Sequence, residues 1–71
     1  MESKAELQIQ AILRLADRMI AISNHGFVVS GDDGCLLLNG MVREAAYRLR
    51  DAAELERKVH MDQERLNVGQ E

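Results

Sequence analysis

Residues 26–34 read Gly-Phe-Val-Val-Ser-Gly-Asp-Asp-Gly and hold three of the five glycines in a chain of 71 residues without proline. Glycine readily interrupts a helix, so this stretch is the main break in the chain. The segments on both sides carry apolar residues at three- and four-residue spacing, which is typical of amphipathic helices. The sequence therefore predicts an all-α fold, an antiparallel hairpin of two helices in one domain, residues 1–71.

The segment before the break predicts a first helix over residues 3–24. Ser3 and Glu6 have the spacing of a capping box at its start. Residues 24–26, Asn-His-Gly, tolerate left-handed backbone and predict its end. One face of this helix carries Ala5, Ile9, Ile12, Ala16, Met19 and Ser23, and a neighbouring face carries Ala11, Leu15 and Ile22.

The segment after the break predicts a second helix over residues 33–66, preceded by a connection at 25–32 and followed by a frayed tail at 67–71. Asp32 and Asp33 are suited to cap its start, and a capping box of Ser30 with Asp33 is an alternative. Its apolar residues are Cys35, Leu37, Leu38, Met41, Val42, Ala45, Ala46, Leu49, Ala52 and Ala53. Gly40 inside this helix costs about 1 kcal/mol, which we expect only where another backbone approaches closely.

A second interpretation takes residues 27–29 and 35–38 as two short strands, with Asn39 and Gly40 as the turn of a β-hairpin. An isolated two-stranded hairpin is marginally stable in water, and leucine is a good helix former. We therefore favour the helix over residues 35–38.

The short chain lacks the usual means of stabilising a small core. Its single cysteine, Cys35, excludes an intrachain disulfide, and a core of this size contributes little stability. Each predicted helix is apolar on more than one face, so a lone hairpin would leave apolar surface in water. We expect two copies to form a four-helix bundle. The predicted dimer core is Ile9, Ile12, Leu15, Ala16, Met19, Ile22, Leu37, Leu38, Met41, Val42, Ala45 and Leu49.

Two resemblances agree with this architecture. A helical hairpin in a short acidic chain resembles the Rop-like dimeric bundles in layout. Residues 32–36, Asp-Asp-Gly-Cys-Leu, and 43–50, Arg-Glu-Ala-Ala-Tyr-Arg-Leu-Arg, are similar to a segment of small bacterial helical-hairpin proteins that have no assigned function. That similarity implies a helix and no chemistry.

Composition narrows the classes of function. A net charge of −3 argues against strong, nonspecific binding to nucleic acids or anionic membranes. The apolar runs are too short to span a bilayer, and the start of the chain lacks the pattern of a secretory signal, so we expect a cytoplasmic protein. We expect Cys35 to be a small buried residue, and the spacing of His25, Asp32 and Asp33 matches no familiar metal site. We predict no enzyme activity, cofactor or metal.

Two surfaces are candidates for binding. Arg43, Tyr47 and Arg50 share a face of the second helix, which suits phosphate contact and base stacking but also a solvated salt-bridged face. The end of the second helix, residues 54–71, is expected to outrun the first and to present Leu55, Val59 and Leu66 to a partner. The sequence predicts protein–protein interaction, and a Rop-like nucleic-acid-binding dimer is the alternative.

Overall fold

A computed structural model of the chain describes the backbone of residues 3–70 and the side chains of residues 3–63. Two helices, α1 (Lys4–Val29) and α2 (Asp33–Gln70), pack against each other. An ion pair of 2.9 Å joins Glu6, near the start of α1, to Arg57 of α2, so the helices run antiparallel. The described backbone contains no strand. The all-α prediction is confirmed, and the alternative with strands at 27–29 and 35–38 is wrong.

Both helices begin where the capping residues predict. Ser3 precedes α1, and its Oγ accepts the backbone N–H of Glu6 at 3.0 Å. Asp32 precedes α2, and its Oδ1 accepts the backbone N–H of Cys35 at 2.7 Å. These two bonds satisfy N–H groups that a helix start leaves without an intrahelical partner.

The predicted end of α1 at residue 24 is wrong, because the helix continues through Gly26 to Val29. No described residue has a positive φ angle, so Gly26 adopts ordinary helical backbone instead of the left-handed conformation expected of a terminating glycine. Ser30 ends the helix, and both its backbone N–H and its hydroxyl donate to the Gly26 carbonyl. The connection shrinks from residues 25–32 to residues 30–32, and Ser30 is not the cap of α2.

A polar contact at the turn explains why Gly26 lies inside the helix. A methyl group at this position would overlap the side-chain amide of Asn39 on α2. That amide donates to the Ser30 hydroxyl at 3.1 Å and to the Cys35 carbonyl at 2.8 Å. Close backbone approach was expected at Gly40, but nothing lies within 4 Å of a methyl group placed there. The glycine that permits close packing is therefore Gly26.

Small side chains form most of the contact between the helices. Ala16 and Ser23 of α1 are fully buried, and the Ser23 hydroxyl donates to the Ile20 carbonyl at 2.9 Å. Ala46 and Ala53 are the buried residues of α2. Ile9 completes the buried set, and Ile12, Met19 and Val42 are half-buried at its margins.

The buried line of α2 lies one residue away from the stripe expected at its centre. Leu38, Ala45 and Ala52 are exposed, whereas Ala46 and Ala53 face α1. Cys35, predicted to be buried, is also exposed. A shift of one residue rotates a helix by about 100°, which is enough to turn the expected stripe sideways.

The predicted overhang of α2 from residue 54 onward also needs correction. Ala53 is buried, and Arg57 pairs with Glu6 in the first turns of α1. The shorter connection is the physical reason, because it moves α1 several residues further along α2. Residues 54–57 therefore lie beside α1 and do not extend beyond it.

We predict that Gly26→Ala is less stable than Gly40→Ala by about 1–3 kcal/mol. Both substitutions gain the same helix propensity of about 1 kcal/mol, so their difference reports the displacement of the Asn39 amide and the loss of its hydrogen bonds. Urea unfolding followed by circular dichroism measures it. Equal stabilities of the two variants would contradict the close contact at Gly26.

We also predict a pH dependence at the start of α2. The bond from the Cys35 N–H holds the pKa of Asp32 below its ordinary value of 3.8, so the ionised carboxylate stabilises the fold above pH 3.8. This contribution is lost as the pH falls through the lowered pKa. Wild type should therefore be more stable than Asp32→Asn near neutral pH and should lose that advantage below about pH 3.8.

Urea midpoints of both proteins between pH 2 and 7 measure this difference. Asp33→Asn is the matched control. It removes the same charge one residue later but leaves intact the bond that the Cys35 N–H donates to Asp32. An identical pH profile for the two variants would show that the Asp32 bond does not carry the effect.

Candidate functional site

The hairpin has two broad sides with different chemistry. The buried line consists of Ile9, Ala16 and Ser23 on α1 and of Ala46 and Ala53 on α2. Residues that lie one position before a residue of this line, on either helix, point to one side of the hairpin, about 100° from the contact. Residues four positions after that line point to the opposite side. Ion pairs and ring contacts between the helices occur on the second side, as described below. We call the first the apolar side and the second the arginine side.

The apolar side consists of two lines of residues at seven-residue spacing. On α1 the line is Gln8, Leu15, Ile22 and Val29, and on α2 it is Leu38, Ala45, Ala52 and Val59. None of these eight residues is charged. Leu15, Ile22, Val29 and Leu38 are 52%, 59%, 62% and 60% exposed. The hairpin therefore leaves a continuous uncharged surface without a partner inside the chain.

A shallow groove follows the apolar side along α2. It has a volume of about 430 Å³ and is lined by Met41, Glu44, Ala45, Arg48, Leu49 and Ala52. Glu44 and Arg48 form an exposed ion pair of 2.8 Å at its outer edge. The groove floor is alanine, so a larger side chain from another helix fits over it.

The structure divides the predicted dimer core into two groups. Ile9 and Ala16 are buried between α1 and α2, and Ile12, Met19 and Val42 are half-buried there. The remaining residues are exposed and have no apolar partner across the hairpin seam: Leu15, Ile22, Leu37, Leu38, Met41, Ala45 and Leu49. The first group stabilises the hairpin itself, and the second is free to contact another chain.

The arginine side is built from Arg43, Arg50 and Arg57, again at seven-residue spacing on α2. The guanidinium carbon of Arg43 lies 5.9 Å from the ring centres of both Phe27 and Tyr47. A guanidinium at that distance from an aromatic face has a favourable cation–π interaction. This cluster joins α1 to α2 close to the turn.

The other two arginines are paired with carboxylates. Arg50 lies 3.9 Å from Asp17 of α1 and 3.6 Å from Glu54, and Arg57 lies 2.9 Å from Glu6. The Arg57 pair is the less exposed one, and its buried Nε has no hydrogen-bond partner. These contacts satisfy much of the charge within the chain, so the arginine side presents less positive potential than its sequence suggests.

The predicted face of Arg43, Tyr47 and Arg50 is therefore only partly brought together. Arg43 contacts Tyr47, whereas Arg50 is directed to carboxylates. Sequence reasoning missed Phe27 and Arg57 as members of this surface. The seven-residue repeat of Arg43, Arg50 and Arg57 was the available signal, and Phe27 was assigned to the connection because α1 was predicted to end too early.

The residues predicted for the overhang lie on or near the apolar side. Leu55 is 64% exposed and Val59 is 39% exposed. Leu66 lies outside the residues whose side chains are described. Val59 continues the line of Leu38 and Ala45, whereas Leu55 is in register with Met41 and Arg48 at the outer margin of that surface.

The titratable side chains of the described residues are spread along the two helices. Among residues 3–63, no group of three His, Cys, Asp or Glu side chains is placed to hold a metal ion. His60 lies 3.3 Å from Glu56 on the exposed surface of α2. Neither helix, over the residues described, has a stretch long and apolar enough to cross a bilayer.

Comparisons with protein-family models, curated proteins and solved structures find no match to the chain. The two sides of the hairpin are therefore the features that bear on its function.

Proposed function

We propose that the protein is a self-associating binding module in which two copies pack apolar side against apolar side as a four-helix bundle. The observation that carries this proposal is the pair of uncharged, exposed lines on one side of the hairpin. An apolar surface that continues along both helices is typical of a face that is covered in the working protein. Its role is protein–protein interaction, with no catalytic step.

The exposed apolar side chains also support association. Leu15, Ile22, Val29 and Leu38 are each more than half exposed. A second copy that covers these side chains removes apolar surface from water, which is favourable.

The side chains on this surface also suit a helical partner. Leu15, Ile22 and Leu38 are large, whereas Ala45 and Ala52 leave room between them. Alternating large and small residues allow facing helices to interdigitate. A two-fold dimer presents the same surface twice, so the leucines of one copy can fill the alanine groove of the other.

Leu55 and Val59 belong to the same proposed interface. They were predicted to contact a partner through an overhang, but Leu55 lies beside α1 at the outer margin of the apolar side, and Val59 is the last residue of its line on α2. We therefore assign them to the contact between copies. The exposed thiol of Cys35 suits the reducing cytoplasm that the sequence led us to expect.

Adjacent leucines allow a sharp test of the proposed interface. Leu38 lies on the apolar side, whereas Leu37 is turned about 100° away and is similarly exposed, at 69% against 60%. We expect Leu38→Gln to weaken association at least about tenfold, because each of two copies loses a buried leucine worth about 1.5–3 kcal/mol. Sedimentation velocity over a range of micromolar concentrations measures the change.

Leu37→Gln is the matched control and should leave the dissociation constant nearly unchanged. Wild type should sediment at twice its chain mass of 8.0 kDa. A wild-type chain that stays monomeric, or equal effects of the two substitutions, would overturn the proposed interface.

The alternative is nucleic-acid binding through Arg43, Tyr47 and Arg50, in the manner of a Rop-like dimer. Arg43 between two aromatic rings favours it, because guanidinium and aromatic groups stack on bases. The ion pairs of Arg50 and Arg57 with carboxylates weigh against it, since phosphate contacts need free positive charge. Protein–protein association is therefore the better supported of the two.

Fluorescence anisotropy with labelled single-stranded and duplex oligonucleotides at about 50 mM salt separates these functions, because phosphate contacts are strongest at low salt. We expect no binding at micromolar protein. Binding that is lost in Arg43→Gln but kept in Arg48→Gln would support the alternative, since Arg48 pairs with Glu44 away from the aromatic cluster.

A further inference from the structure

Charge is distributed unevenly along the hairpin. Residues 19–42, which surround the turn, contain two of the 12 acidic residues, Asp32 and Asp33, and none of the nine basic ones. We call this region the turn half and the rest of the hairpin the stem half. The other charged residues whose side chains are described lie in the stem half, where seven acidic and eight basic side chains nearly balance.

The turn half is also the more apolar part of the exposed surface. Ile22, Val29, Leu38 and Met41 are each 59–62% exposed, and of these only Met41, at the boundary with the stem half, lines the groove that Glu44 and Arg48 border. In the stem half, by contrast, exposed charges such as Lys4 and Glu56 border the apolar side. The apolar side is therefore best covered by an apolar surface in the turn half and by a surface with charged groups at its margin in the stem half.

Two copies that meet through their apolar sides can be aligned in two ways. In the opposed alignment, the turn half of each copy covers the stem half of the other. Stem charges such as Lys4 and Glu56 then lie beside apolar side chains, and the only carboxylates the turn half could offer them are Asp32 and Asp33 at its tip. Removing charges from water without opposite charges is costly.

In the same-end alignment, the two turns lie at one end of the bundle. Apolar turn halves then cover each other, and stem halves with both signs of charge lie side by side. Lys4 and Glu56 lie at the same level of the stem half and have opposite charges. Each can therefore face the other across the contact, which favours this pairing over the opposed one.

From this distribution we infer that the partner of the apolar side is a second copy aligned with its turn at the same end. The inference rests on the proposed self-association and adds its orientation. It brings four aspartates, Asp32 and Asp33 of each copy, to one end of the dimer. They are exposed in the hairpin, where two unit charges 4 Å apart in water repel by only about 1 kcal/mol. This repulsion is small beside the free energy gained when Ile22, Val29, Leu38 and Met41 of each copy, eight side chains in all, are removed from water.

Nitroxide labels and electron–electron double resonance test the alignment. The native Cys35 is a label site in the turn half. Two further sites are Lys58→Cys in the stem half and Asp51→Cys near the middle of α2, each in a Cys35→Ser background. Asp51→Cys is the control, because labels near the middle are close in both alignments. Sedimentation of each labelled protein shows whether the label leaves association intact.

The same-end alignment predicts distances set by the width of the bundle, under about 25 Å, at all three sites. The opposed alignment predicts a short distance only at Asp51→Cys. In that case the Cys35 labels would be about 40 Å apart along the bundle and those at Lys58→Cys about 30 Å. The second pattern would overturn the inference while leaving self-association in place. A monomer in sedimentation, with no dipolar coupling at any site, would overturn the proposed function as well.

Discussion

The contact between α1 and α2 is made mostly through small side chains, and much of the remaining structure follows from that constraint. Ala16 and Ser23 of α1 and Ala46 and Ala53 of α2 are buried in it, and Gly26 leaves room for the side chain of Asn39. Small side chains pack well at short distance but remove little apolar area from water. The hairpin consequently has a narrow core, and its larger apolar side chains remain outside.

Because the core is narrow, the contacts outside it decide how the two outer sides of the hairpin differ. On one side, Phe27, Arg43 and the ion pairs of Arg50 and Arg57 tie the helices together through contacts within the chain. On the other side, Leu15, Ile22 and Leu38 have no such partners. The arginine side can remain in water, whereas the apolar side is the part of the surface that gains from being covered.

The sequence was sufficient to predict the helices and both of their starts, because Ser3 and Asp32 act locally through hydrogen bonds to nearby N–H groups. It failed at the end of α1, where residues 24–26 carry a strong local signal for termination. A tertiary contact outweighs that signal, since Asn39 occupies the space that a side chain on Gly26 would fill. No local pattern reveals a partner thirteen residues away.

The binding surfaces were predictable only in part for the same reason. The apolar character of Leu15, Ile22 and Leu38 is evident from spacing, but the side on which they lie depends on which residue of each helix faces the other. A broad apolar stripe leaves that angle open, and an error of one residue placed Ala45 at the centre instead of Ala46. The Arg43 cluster was hidden because its second ring, Phe27, had been placed outside the helix.

A seam of similar small residues at seven-residue spacing defines the register of its two helices only weakly. Sliding one helix past the other by a heptad would present nearly the same surface, so the apolar contacts alone leave several pairings almost equal in energy. The Asn39 amide ends this degeneracy, because only one pairing places it beside Gly26 and within reach of Ser30 and Cys35. A polar group within a helix contact can define a unique pairing in this way at little gain in stability. The register of the hairpin is thus defined by groups outside the apolar seam: the Asn39 amide at the tip, the ion pairs of Arg50 and Arg57 with α1, and the three-residue connection.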